Sequence, residues 1–143
     1  MAMVLASVEN GEISTVKNHF GYEFEVTGIQ GFDDITNRGS EQINELDCKL
    51  LGKTPEGAGV YVTYYGLIKL HQNVVDVLTK QSMSAPFDES YITCNPRSTL
   101  DDLVSDKYRW VTKEEFLNKG RFVRGANGSL YVQYMSTLFA RKA

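Results

Sequence analysis

Two neighbouring carboxylates stand in the stretch Gly31-Phe32-Asp33-Asp34. A carboxylate aimed into a dry pocket can serve as general acid or base. One held in a turn does no more than accept hydrogen bonds from nearby amides. Arg97 follows Pro96, and its planar fork suits a carboxylate or an enolate as well as it suits an outer salt bridge. Tyr64 lies in the run Val60-Tyr61-Val62-Thr63-Tyr64-Tyr65-Gly66. Asp33, Tyr64 and Arg97 are therefore the catalytic candidates. Tyr108 and Trp110 share a face if their segment is a strand, and can wall a ligand or simply fill a core. With Cys48 and Val62 they are the ligand-lining candidates.

Other chemistries find little support. His19 and His71 are the only histidines and have no ligand spacing around them, so no metal is expected. Cys48 and Cys94 are not part of a Cys-x-x-Cys pair and read as reduced core thiols. There is no Gly-x-Ser-x-Gly elbow, phosphate-cradling loop or dinucleotide fingerprint, which speaks against the usual serine hydrolases, kinases and dehydrogenases. No cofactor is expected.

What must position these residues is a sheet. The 143 residues suit one domain, taken as 1–143, with a core of its own. Eight tyrosines and seven phenylalanines favour strands over helices. A net charge of −3 without a basic block argues against nucleic acid. No apolar run reaches the ~20 residues that span a membrane, and the apolar start is too short for a signal peptide. The expectation is a cytoplasmic protein.

Residues 12–16 and 22–26 alternate as short strands, and the glycines and aspartates of 28–34 read as a turn after them. Residues 43–53 and 58–70 are the longest strand candidates, joined by Thr54-Pro55-Glu56-Gly57 as a type I turn with Gly57 free to take positive φ. Residues 71–82 carry Val74, Val75, Val77 and Leu78 at helical spacing. Beyond them, 91–95 reads as a strand stopped by Pro96, 99–103 as a turn or one helical turn capped by Thr99, and 108–111 as a strand. Thr112 to Glu115 matches a capping box opening a helical turn that reaches Asn118. Residues 121–124 and 130–140 pair through Gly125 to Gly128. The pattern predicts an all-β protein: an antiparallel β-barrel of roughly eight strands with one short helix after the central hairpin.

The residues of the hairpin carry a resemblance. Leu46-Asp47, Thr54, Glu56-Gly57, Val60-Tyr61-Val62 and Tyr64-Tyr65-Gly66, then Tyr91, Pro96-Arg97, Tyr108, Trp110 and Gly120, and more weakly Gly31-Phe32-Asp33, are similar in order and spacing to the domain-of-unknown-function 3237 family. Thr93, Ser98-Thr99 and Thr112 stand where the family usually has Arg, Phe-Glu and Asn. The resemblance implies an architecture like the allene oxide cyclase and dirigent barrels, whose interior can hold one small ligand.

Setting Thr54 opposite Ala58 puts Cys48, Leu50, Val62 and Tyr64 on one face and Asp47, Lys49, Leu51, Tyr61, Thr63 and Tyr65 on the other. The first face is expected inside. In the last strand Leu130, Val132, Tyr134 and Leu138 share a face, opposite Tyr131, Met135 and Phe139. Aromatics on the outer face predict a homo-oligomer, most simply a dimer, through Tyr61, Tyr65 or Phe139. For function, the expectation is a cofactor-free cyclase, isomerase or lyase acting on a small hydrophobic molecule held in the barrel. The alternatives are a noncatalytic barrel binding such a molecule, or an oligomeric scaffold with a filled interior.

Overall fold

The computed structural model describes residues 2–138. Seven strands follow one another as an antiparallel meander: β1 (Ala2–Ile13), β2 (Val26–Asn37), β3 (Ile43–Lys53), β4 (Gly59–Lys69), β5 (Tyr91–Leu100), β6 (Phe116–Arg124) and β7 (Leu130–Leu138). The sheet curls into a half-barrel, and one short helix, α1 (Gln72–Leu78), crosses after β4. Val74 and Val77 bury one side of α1. Arg124 of β6 holds its end, donating to the carbonyls of Val77 at 3.1 Å and Leu78 at 2.9 Å. The last carbonyls of a helix lack i+4 amide partners within it; the Val77 carbonyl also accepts from the Lys80 amide at 3.2 Å.

The central hairpin has the register expected from its turn. The Thr54 amide donates to the Ala58 carbonyl at 2.9 Å, and the Gly57 amide donates back to Thr54 at 2.9 Å. Gly57 takes φ 88°, a region that costs any residue with a Cβ. Cys48 faces Tyr64 and Leu50 faces Val62. All inward side chains of this hairpin are buried or half-buried.

Elsewhere the structure corrects the sequence reading. Residues 14–25 are not strand, although Tyr22, Phe24 and Val26 do turn inward while Glu23 and Glu25 face solvent. The supposed turn at 28–34 lies inside β2, because β1 and β3 pair with it on both sides and absorb its glycines. Gly28, at φ 61°, sits where the register slips between Thr27 and Gln30, as a bulge glycine does. Pro96 does not stop β5. Beyond Cys94 that strand has no β6 partner among the described residues, so a residue lacking an amide N–H costs the free edge nothing.

Residues 106–112 form a 3-10 helix, not a strand. Tyr108 and Val111 are its buried pair, and their spacing of three is the period of that helix. Thr112 closes this turn through its hydroxyl, which donates to the Arg109 carbonyl at 2.9 Å. The strand β6 follows where a helical turn was expected.

The concave side holds two clusters. One, next to the 54–57 turn, gathers Phe24, Val26, Ile29, Val60, Val62 and Tyr108. The other, further along the same strands, gathers Leu46, Cys48, Tyr64, Ile68, Ile92 and Cys94. Leu50 packs against both.

Candidate functional site

The second cluster contains the polar chemistry. Asp33 on β2 pairs with Cys48 on β3, and Cys48 pairs with Tyr64 on β4. Direct cross-strand partners project from the same face, so carboxyl, thiol and phenol stand in one row across the concave side. All three are buried. Tyr134 of β7 meets Tyr64 edge to face with 5.8 Å between ring centroids. Cys94 of β5 pairs with Asn118 of β6, whose side-chain carbonyl accepts from the Ser136 hydroxyl.

Burial sets the electrostatics. The Asp33 carboxyl is pushed up to about 6, chiefly because burial disfavours its charge; Asp47 and Asp34 add to this and the Asp47 amide opposes it. One carboxyl oxygen, Oδ1, is buried without a hydrogen-bond partner, a costly state for a polar atom. Burial pushes the Cys48 and Cys94 thiols up to about 12. Burial, with neighbouring Tyr134 and Cys48, drives the Tyr64 phenol well above its ordinary range. Tyr134 moves the same way, through burial first and then Cys94. At neutral pH the thiols and phenols are therefore proton donors, and Asp33 is the one group of the row poised to exchange a proton.

The seven residues singled out by sequence do not form one constellation. Asp33, Cys48 and Tyr64 come together. Val62 and Tyr108 lie in the neighbouring cluster beside the hairpin turn. Trp110 packs there as well, stacked on Tyr22 with centroids 4.3 Å apart, its indole N–H donating to the Glu23 carbonyl at 2.8 Å. Arg97 is the clear correction. It pairs with Thr63 while its neighbour Pro96 pairs with Tyr64, so it projects from the opposite, convex face and is exposed. The expectation that the strand stops at Pro96, just before it, fails because β5 runs through both residues to Leu100.

Sequence reasoning missed three members of the buried group. Tyr134 was visible as an inward residue of the last strand, but its partner was not. Asn118 fell in the misread helical turn. Cys94 registered only as a core thiol. Among the described residues, no three His, Cys, Asp or Glu side chains gather as a metal site would require. No helix among them is long and apolar enough to cross a membrane.

The family model described as "Protein of unknown function (DUF3237)" matches residues 2–136. The chain belongs to this family. Among solved structures, the chain is similar to a conserved protein of unknown function from Rhodopseudomonas palustris, with 17% identity, a TM-score of 0.64, and 97% of this chain and 89% of that one covered. A protein with unknown function from Clostridium acetobutylicum shows 13% identity, a TM-score of 0.51, and coverage of 94% and 97%. A beta-barrel-like protein from Acinetobacter baumannii shows 16% identity, a TM-score of 0.43, and coverage of 96% and 98%. None of the curated proteins matches this chain in sequence. The first two likenesses are of fold alone.

Proposed function

We propose that this DUF3237 protein is a cofactor-free proton-transfer enzyme of the isomerase or cyclase type, acting on a small hydrophobic carbonyl compound held against the concave face. The observation that supports this is the Asp33 carboxyl, buried with Oδ1 unpartnered, in a row that runs on through Cys48 to Tyr64, against which Tyr134 packs. A purely structural interior has little reason to keep such a group. As carboxylate, Asp33 takes a proton from a carbon next to the substrate carbonyl, and the C–H electron pair passes into the enolate. The Tyr64 and Tyr134 hydroxyls, held in their protonated forms, donate to the enolate oxygen where charge develops. Asp33 then returns its proton to a different carbon, and no electrons leave the substrate. The apolar neighbours Leu46, Ile68 and Ile92 fit a hydrophobic substrate. Two buried, separate thiols are what a reducing compartment preserves, which supports a cytoplasmic reading.

The test is hydrogen–deuterium exchange at carbon. A panel of small cyclic ketones and enones is incubated with the protein in deuterated buffer and followed by proton NMR. Wild type should accelerate exchange of at least one member, and Asp33→Asn, checked for folding by its thermal melt, should abolish the acceleration. Exchange equal in wild type and Asp33→Asn would sink the proposal. Ligand-induced shifts without any exchange would also overturn it and leave the noncatalytic binding barrel.

A further inference from the structure

The convex face of β2–β5 carries a second pattern. Phe32 is 56% exposed, Leu51 51%, Tyr61 41% and Tyr65 74%. Leu51 and Tyr61 are direct cross-strand partners, and Phe32 pairs with Lys49, next to Leu51 on the same face. Phe32, Leu51 and Tyr61 are therefore neighbours in one apolar patch, of the kind that marks an interaction site, while Tyr65 stands beyond the row of Lys49 and Thr63.

The charges within this patch are sorted into rows. Asp34, Asp47 and Tyr65 lie in one row across β2, β3 and β4. Phe32, Lys49, Thr63 and Arg97 lie in the next row, across β2 to β5. Asp34 and Asp47 oppose each other directly, an arrangement that destabilises a sheet when nothing offsets it. Ion pairs among the described residues involve Arg38, Lys107 and Arg109 as the basic partners. Neither Lys49 nor Arg97 takes part in one, and neither do the two aspartates.

We propose that this convex face is the interface of a homodimer, in which a two-fold axis running across the strands, between the two rows, sets the acidic row of each copy over the basic row of the other. The axis places β3 over β3, so Asp47 of each copy meets Lys49 of its mate, twice over. Asp34 sits beside the same lysine, and Arg97 reaches the neighbourhood of Tyr65. Phe32 and Tyr65, which lie in these two rows, pack between the two sheets, and Leu51 and Tyr61 flank them one row further out. An isologous contact of this sort closes on itself and stops at two. A second copy suits the patch better than a differently charged partner, because the face is complementary to itself. The concave site is left untouched, so this arrangement stands or falls separately from the proton-transfer reading.

The experiment is a charge exchange read by sedimentation velocity at roughly tens of micromolar, where an interface of standard size holds together. Wild type should sediment as a dimer. Lys49→Glu with Arg97→Glu, and separately Asp34→Lys with Asp47→Lys, should each weaken the dimer by about tenfold or more, because like charges then meet at the contact. Mixing the two double variants should restore a dimer. Tyr65→Ser leaves every charge in place and should also weaken association; it covers the case in which a charge-reversed variant fails to fold. A monomeric wild type would overturn the proposal. So would charge-reversed variants that remain dimers, which would place the contact elsewhere, for instance at the sheet edges β1 and β7. Folded, monomeric variants that stay monomers on mixing would overturn the pairing of rows.

Discussion

Asp33 and Cys48 face each other directly across β2 and β3, with both side chains on the buried side of the sheet. This placement, far more than the sequence neighbours of Asp33, sets its acidity. A carboxyl raised from 3.8 to about 6 by burial binds its proton more tightly in the folded chain than in the unfolded one. Stability at this group is therefore highest at low pH and falls as pH rises from about 4 to about 6. Each factor of ten in proton affinity is worth about 1.4 kcal/mol, so the effect is of order 3 kcal/mol at most. Urea melts across this range should show a difference between wild type and Asp33→Asn that widens as pH rises, with the amide variant the more stable at pH 7. A difference that stays constant with pH would show that Asp33 is ionised as freely as an exposed carboxylate.

The thiols give a second measurement. Cys48 and Cys94 are both buried, and both are pushed up to about 12. The thiolate is the reactive form, so neither cysteine should react with a thiol reagent in the native protein at pH 8 over minutes. Both should react once urea unfolds the chain. Rapid native labelling of Cys48 would mean that the row is open to solvent, and would turn attention to sulfur as a nucleophile.

How much of this was legible beforehand follows from the range of the interactions. The hairpin 43–70 was readable because its register is set locally, by Thr54, Gly57 and strict alternation on either side. The helix after it was readable from its valines. β2 was misread because two glycines and two aspartates look like a turn, and only pairing with β1 and β3, fixed by residues far away, holds them as strand. Residues 108–111 contain alternating large side chains that fit a strand, yet the spacing of Tyr108 and Val111 serves a 3-10 turn packed on the core. For the site, two of three catalytic candidates share the buried row, since the hairpin alignment already put Tyr64 inward. Arg97 was misplaced through a single error, the belief that Pro96 ends β5. The part assigned to Phe139 in an oligomer lies outside the described residues.

The turn at 54–57 supports a further prediction. Gly57 has φ 88°, and a Cβ built there meets nothing within 4 Å. The cost of Gly57→Val is therefore chiefly conformational, on the order of 1–3 kcal/mol for a β-branched residue in that region. Gly57→Asn, which tolerates left-handed backbone, should lose clearly less. Equal melting temperatures for wild type and Gly57→Val would remove the turn assignment.

Gly120 makes the opposite case, where space and not backbone freedom decides. It pairs with Tyr134 across β6 and β7. A Cβ at this position would come within 2.7 Å of the Tyr134 ring and 3.0 Å of Ile92. The ring must move, and its edge contact with Tyr64 goes with it. Gly120→Ala should therefore destabilise by about 1–3 kcal/mol, the usual cost of overpacking. Most of that penalty should vanish when Tyr134 is already alanine, because the clash has lost its partner. A double-mutant cycle on Gly120→Ala and Tyr134→Ala, read by urea denaturation, measures this coupling. If Gly120→Ala costs as much without the ring as with it, Gly120 is not the seat that holds Tyr134 over Tyr64. Tyr134 would then have no claim to a fixed place on the Tyr64 ring.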